Sequence, residues 1–119
     1  MKYLKTYNEN KLIKDHLSVD GKTLNLNNLS LTELPELPKG LERLYCGNNQ
    51  LTKLPELPPT LEYLYCYNNQ LTELPELPPI LKYLYCDNNQ LPYDDLEGYW
   101  KWYWKENPDL HQANKMNLI

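Results

Sequence analysis

Apolar and polar residues alternate with a period of two around Leu44-Tyr45-Cys46, and again around Leu64-Tyr65-Cys66 and Leu84-Tyr85-Cys86. That spacing marks a half-buried strand. Leu44 and Cys46 point inward, and Arg43, Tyr45 and Gly47 point outward. Each strand sits in a longer frame, L-x-x-L-x-C-x-x-N-x-L. The frame runs Leu41, Leu44, Cys46, Asn49, Leu51 and recurs at Leu61, Leu64, Cys66, Asn69, Leu71 and at Leu81, Leu84, Cys86, Asn89, Leu91. Asn49, Asn69 and Asn89 stand where the chain leaves the strand. There a carboxamide is expected to bond the backbone of its own and the next coil, satisfying groups that burial would otherwise leave unpaired. On the return path the leucines fall three apart: Leu34/Leu37, Leu54/Leu57 and Leu74/Leu77. Polyproline II has three residues per turn, so such leucines share one face, and the interleaved prolines forbid a helix. The convex side is therefore predicted to be extended, with leucines inward and Pro and Glu outward.

The frame belongs to a repeat of twenty residues. LERLYCGNNQLTKLPELPPT (41–60) and LEYLYCYNNQLTELPELPPI (61–80) differ only at Arg43/Tyr63, Gly47/Tyr67, Lys53/Glu73 and Thr60/Ile80. A third copy stops at LKYLYCDNNQL (81–91), and a degenerate one, GKTLNLNNLSLTELPELPKG (21–40), stands in front. Units this short cannot bury a core alone, so they must stack into a solenoid with one parallel sheet. The chain thus divides into an N-terminal cap (1–22), about four repeats (23–91) and a C-terminal helical cap (92–119), all within one structural domain.

A solenoid needs covered ends, because its terminal coils would otherwise expose leucines. In front, Thr6-Tyr7-Asn8-Glu9 fits a capping box, followed by a short helix whose buried stripe is Leu12, Ile13 and Leu17. A turn at Val19-Asp20-Gly21-Lys22 leads into a first strand, Thr23–Leu26. In that coil Leu26 replaces the cysteine and Leu29 the turn asparagine, which suits an end unit covered by apolar groups. Behind, Asp94 with Glu97 offers a second capping box. Leu96, Tyr99, Trp100, Tyr103 and Trp104 then recur as one helical face, read as a lid over Leu81, Leu84 and Leu91, with Trp102 left at its edge. Asn107-Pro108 ends this helix and starts another through Leu110 and Ala113.

Outward strand positions stack into three columns across the concave face. They are Thr23, Arg43, Tyr63, Tyr83; Asn25, Tyr45, Tyr65, Tyr85; and Asn27, Gly47, Tyr67, Asp87. Stacked aromatics stabilise a sheet, but a rigid tyrosine field is also a surface that binding proteins favour. The candidate contact set is Arg43, Tyr45, Tyr63, Tyr65, Tyr67, Tyr83, Tyr85 and Asp87.

Composition narrows the rest. A net charge of −4 and one arginine in the three columns argue against nucleic acid, whose phosphates favour a basic face. No apolar run reaches the length of a membrane span, and the first residues lack a signal-peptide core. Cys46, Cys66 and Cys86 form a column on adjacent strands, where parallel side chains have poor disulfide geometry. Neither His16 nor His111 lies within the repeats to complete a metal site. The cysteines read as small buried hydrophobes in a reducing cytoplasmic compartment. No nucleophile motif, zinc signature or phosphate-binding loop is present, so no catalytic residue, metal or cofactor is assigned. Asn28-Leu29-Ser30 matches a glycosylation sequon and reads as a chance match.

The repeats resemble the leucine-rich-repeat family, specifically its short bacterial subclass with the frame L-P-x-L-P-x-x-L-x-x-L-x-C/V-x-x-N-x-L-T, over roughly residues 21–91. The resemblance implies an α/β-type leucine-rich-repeat solenoid. In secreted effectors of enteric bacteria such repeats recognise host proteins, and some of those effectors carry a separate ubiquitin-ligase domain that has no counterpart here. Similar Tyr-, Asn- and Cys-rich repeats occur in amoeba-infecting giant viruses. The expected function is a non-enzymatic module binding an unidentified partner protein, acting in host cytoplasm if effector or viral. The alternative is a structural or self-associating protein that forms homo-oligomers through its Trp/Tyr-rich surface.

Overall fold

A computed structural model describes residues 2–115. In chain order its elements are α1 (Lys2–His16), β1 (Thr23–Asn25), β2 (Arg43–Tyr45), β3 (Tyr63–Tyr65), β4 (Tyr83–Tyr85), α2 (Leu96–Glu106) and α3 (Pro108–Lys115). The caps expected to reach Met1 and Ile119 have Met1 and residues 116–119 outside the described residues. The strands form one open parallel sheet in the order β1-β2-β3-β4. Because each coil is the same length, equivalent residues pair directly: Thr23↔Arg43↔Tyr63↔Tyr83, Leu24↔Leu44↔Leu64↔Leu84 and Asn25↔Tyr45↔Tyr65↔Tyr85. β1 ends at Asn25, one residue before the expected Leu26, although Leu26 N–H still donates to Tyr45 O (2.6 Å).

The core is a set of files, one residue per coil. Leu24, Leu44, Leu64 and Leu84 form one file, and Leu26, Cys46, Cys66 and Cys86 the next. Leu41, Leu61 and Leu81 close the strand entry, and Leu37, Leu57 and Leu77 face them from the return path. All are buried, and each such leucine contributes roughly 1.5–3 kcal/mol by leaving water. No helix interrupts the return path, as its prolines require.

The turn asparagines stitch the coils. Asn49 Nδ2 donates to Cys46 O (3.1 Å) and Leu26 O (2.9 Å), while its Oδ1 accepts from Leu29 N–H (3.1 Å) and Leu31 N–H (2.9 Å). Asn69 repeats this with Cys66 O, Cys46 O and Leu51 N–H, and Asn89 with Cys86 O, Cys66 O and Leu71 N–H. The inter-coil bonds run to the preceding coil, not to the following one as the sequence suggested. The turn carries each asparagine back over the strand its own coil pairs with upstream.

Both sheet edges are covered, which removes the unpaired rows that invite strand addition. In front, Leu17 bridges Leu24 antiparallel and Ser18 N–H donates to Thr23 O (2.8 Å). Behind, Asp95 bridges Tyr85 antiparallel and Cys86 N–H donates to Asp94 O (3.0 Å). Leu12, Ile13 and Leu17 pack on the core as the cap requires. Two capping boxes are corrected. α1 begins at Lys2, so Thr6 lies inside the helix and not at its start. The N-cap of α2 is Asp95, whose carboxylate accepts from Gly98 N–H (2.8 Å); Asp94 is instead tied to β4 through its carbonyl. No helix among the described residues is long and apolar enough to cross a membrane.

Candidate partner-binding face

Twenty-residue periodicity sets equivalent tyrosines on neighbouring strands, and the spacing between strands falls within the range at which aromatic rings stack. Tyr45 and Tyr65 lie 4.8 Å apart with planes 2° from parallel, and Tyr65 and Tyr85 lie 4.9 Å apart at 7°. Beside them Tyr63 stacks on Tyr83 (5.1 Å, 10°). Arg43 caps that second stack, its guanidinium carbon 4.9 Å over the Tyr63 ring. The inner faces of these rings are occupied by one another, so a molecule approaching the row meets ring edges and phenol groups. Burial, and secondarily the neighbouring tyrosines, push the Tyr65 phenol above its usual range, so it remains protonated at neutral pH.

The third column is less regular. Tyr67 is half-buried with its ring across Gly47, Gly47 N–H donates to Asn27 Oδ1 (2.7 Å), and Asp87 is exposed at the end of the column. Next to this column runs an exposed amide ladder absent from the sequence reading. Asn68 Nδ2 donates to Asn48 Oδ1 (2.6 Å), and Asn88 Nδ2 to Asn68 Oδ1 (2.7 Å). All three asparagines have positive φ, 57°, 53° and 54°, a conformation asparagine tolerates better than most residues. The doubled Asn-Asn of each repeat was the signal: its first member shapes the turn while its second bonds the core.

The cysteine column is fully buried and unpaired. Burial pushes the Cys46 and Cys86 thiols up to about 12 and Cys66 well above its ordinary value. Such thiols carry little nucleophilic thiolate near neutral pH. Cys86 directs its thiol toward Tyr93 O (3.7 Å). Among the described residues no cluster of His, Cys, Asp and Glu could hold a metal ion.

The C-terminal lid is turned from its expected face. Leu96, Tyr99 and Tyr103 pack on the core, but so does Trp102, while Trp100 is 39% exposed. Trp104 stacks outside the core between Trp100 (5.7 Å) and His111 (5.3 Å). Tyr93, which the repeat pattern did not single out, is buried and meets Tyr99 edge-on (5.1 Å). Segment 93–95 pairs with β4 before the helix begins, so it brings Tyr93 into the core and sets the entry angle of α2.

The coil stack is a leucine-rich-repeat solenoid: the family model for leucine-rich repeats in two copies matches residues 59–99. Solved structures of bacterial effectors share the fold. The leucine-rich-repeat domain of a Shigella effector is 42% identical with a TM-score of 0.65, over 71% of this chain and 39% of that one. YopM of Yersinia pestis is 48% identical (TM-score 0.64), over 70% of this chain and 24% of its own. YopM of Yersinia enterocolitica is 49% identical (TM-score 0.64), over 70% and 18%. This chain therefore spans well under half the length of each. No curated protein matches the chain significantly.

Proposed function

We propose that this protein is a non-enzymatic interaction module that holds a partner protein on the tyrosine face of its sheet. The observation that carries the reading is the pair of tyrosine stacks, five rings fixed in register by four hydrogen-bonded coils. Their conformational entropy is already lost on folding, so a partner gains amphipathic contact area at little ordering cost. The likeness to bacterial effectors supports a host-directed role, and three free buried thiols suit a reducing cytoplasm. The contact set is Arg43, Tyr45, Tyr63, Tyr65, Tyr67, Tyr83, Tyr85 and Asp87. A pull-down comparing wild type with a Tyr45/Tyr65/Tyr85→Ala variant tests it. Proteins retained by the first and lost from the second support the reading, and identical retention contradicts it.

Self-association is the second reading, favoured by the exposed Trp100 stacked on Trp104. It would run through the C-terminal lid, since both sheet edges are covered. Light scattering across concentrations separates the two: a concentration-dependent mass that falls in Trp100→Ala supports it.

A further inference from the structure

Both tyrosine stacks stop at β4 with a ring face left open. One column reads Arg43, Tyr63, Tyr83 and the other Tyr45, Tyr65, Tyr85. Among the described residues no further ring or guanidinium lies against Tyr83 or Tyr85. These two are 48% and 45% exposed, whereas the upstream rings are half-buried. The face of a tyrosine ring is electron-rich and attracts a planar cation. At the opposite end of the first stack the protein uses this chemistry on itself, where its single arginine covers Tyr63.

The charges around the open end have the complementary sign. Asp87 is exposed on the third column, and Asp94 and Asp95 are exposed just beyond β4, with Asp95 bridged to Tyr85. None of these carboxylates has an ion-pair partner among the described residues. The nearby lysines are committed elsewhere, Lys82 to Glu62 (2.9 Å) and Lys101 to Glu97 (3.1 Å). Asp95 also caps α2 through Gly98 N–H, and Asp94 stands opposite core-facing Cys86, which leaves Asp87 as the freer acceptor on the tyrosine face.

We propose that this open end, Tyr83 and Tyr85 with Asp87, receives an arginine side chain of the partner protein. The guanidinium lies flat on a tyrosine ring, extending the stack by one member, and directs its in-plane N–H groups to the Asp87 carboxylate. A lysine ammonium cannot stack and donate in one plane at once, so arginine is preferred. The inference rests on the proposed function and names the partner chemistry at one end of the same face.

The test uses the full chain with isotope-labelled tyrosine rings, followed by NMR during titration with acetyl-Gly-Arg-Gly-amide. The ring signals of Tyr83 and Tyr85 shift saturably while those of Tyr45 stay in place. The lysine peptide binds at least about threefold more weakly, in keeping with the size of an exposed cation–π contact. The citrulline peptide, which keeps the shape without the charge, gives no saturable shift. Asp87→Asn, an exposed change that leaves folding intact, weakens the arginine peptide about threefold, and Tyr83→Leu removes most of the response in protein of unchanged unfolding midpoint. An absent response to arginine, an equal response to citrulline or lysine, or equal displacement of these rings by adenosine monophosphate overturns the proposal. If the arginine peptide fails while Tyr65→Ala still abolishes partner retention, only this inference falls. Arginine binding with a partner indifferent to Tyr65 removes the proposed function instead.

Discussion

The Tyr67 ring lies across Gly47, so close that a Cβ added at Gly47 would stand 2.5 Å from Tyr67 Cζ and 2.7 Å from Cε2. Gly47 and Tyr67 occupy the same position in successive repeats, and the smaller residue provides the seat on which the larger one rests. Gly47→Ala is expected to swing the ring outward instead of moving backbone, since the clash is with the far end of a side chain. Its stability cost is about 1 kcal/mol, at the low end for overpacking. In a Tyr67→Ala background that cost disappears, a coupling that a double-mutant cycle on denaturant midpoints reads directly.

The paired asparagines of each repeat separate by role. Asn69→Ala strands Leu51 N–H and releases three carbonyls from Asn69 Nδ2, two of those bonds buried, so it costs at least about 2 kcal/mol. Asn68→Gly removes only exposed ladder bonds and relaxes a backbone at φ 53°. Its cost stays below about 1 kcal/mol. Equal losses in urea titrations would contradict this division.

How legible the molecule was follows from where periodicity operates. The strands, the core files, the cysteine column and the tyrosine columns all rest on one twenty-residue register, and the structure has them in register. The caps lie outside that repeat. In α2, Tyr99, Trp100, Trp102, Tyr103 and Trp104 surround most of the helix, so an apolar pattern alone could not choose its inward side. The choice came from Asp95 pairing with Tyr85, a tertiary contact. Likewise the doubled asparagine was visible, but the positive φ of Asn48, Asn68 and Asn88 is a property of the coil's turn.

The lid should respond to that rotation. Tyr99→Ala removes a buried ring in contact with Tyr93 and Trp102 and costs about 3–5 kcal/mol, as large aromatic truncations do. Trp100→Ala, on an exposed ring, costs less than about 1 kcal/mol. The reverse order in thermal unfolding would return Trp100 to the core-facing side. Truncation after Leu91 uncovers Leu81 and Leu84 and should abolish cooperative unfolding.

Alkaline pH should weaken the fold. The Cys46 and Cys86 thiols titrate at about 12 in the folded protein, against an ordinary value of 9.0. Between those values the folded chain keeps protons that the unfolded chain has released. The stabilisation is complete below pH 9 and is lost as pH rises toward 12, at about 1.4 kcal/mol per pH unit for each such group. Tyr65, Tyr93 and Tyr99, whose burial also raises them, add loss of the same sign above pH 10. Urea midpoints at pH 9, 10 and 11 should fall progressively, and less steeply in Cys46→Ala. A flat profile would mean that the thiols are not buried. Cys66→Ser should cost about 1–3 kcal/mol more than Cys66→Ala, because its hydroxyl is desolvated without an assured partner.

The most direct test is the affinity of a retained partner for single variants on opposite sides of the coil stack. Tyr65 is the middle ring of the longer stack, with neighbours at 4.8 and 4.9 Å. Glu56 and Glu76 are exposed on the return path. With variants first matched for unfolding midpoint, Tyr65→Ala should weaken binding about thirtyfold, the loss of a central aromatic anchor of ~2 kcal/mol. Glu56→Ala and Glu76→Ala should change it less than about threefold, as rim charges do. A partner that tolerates Tyr65→Ala and is lost on changing the return-path glutamates would place the binding surface on the other side of the solenoid.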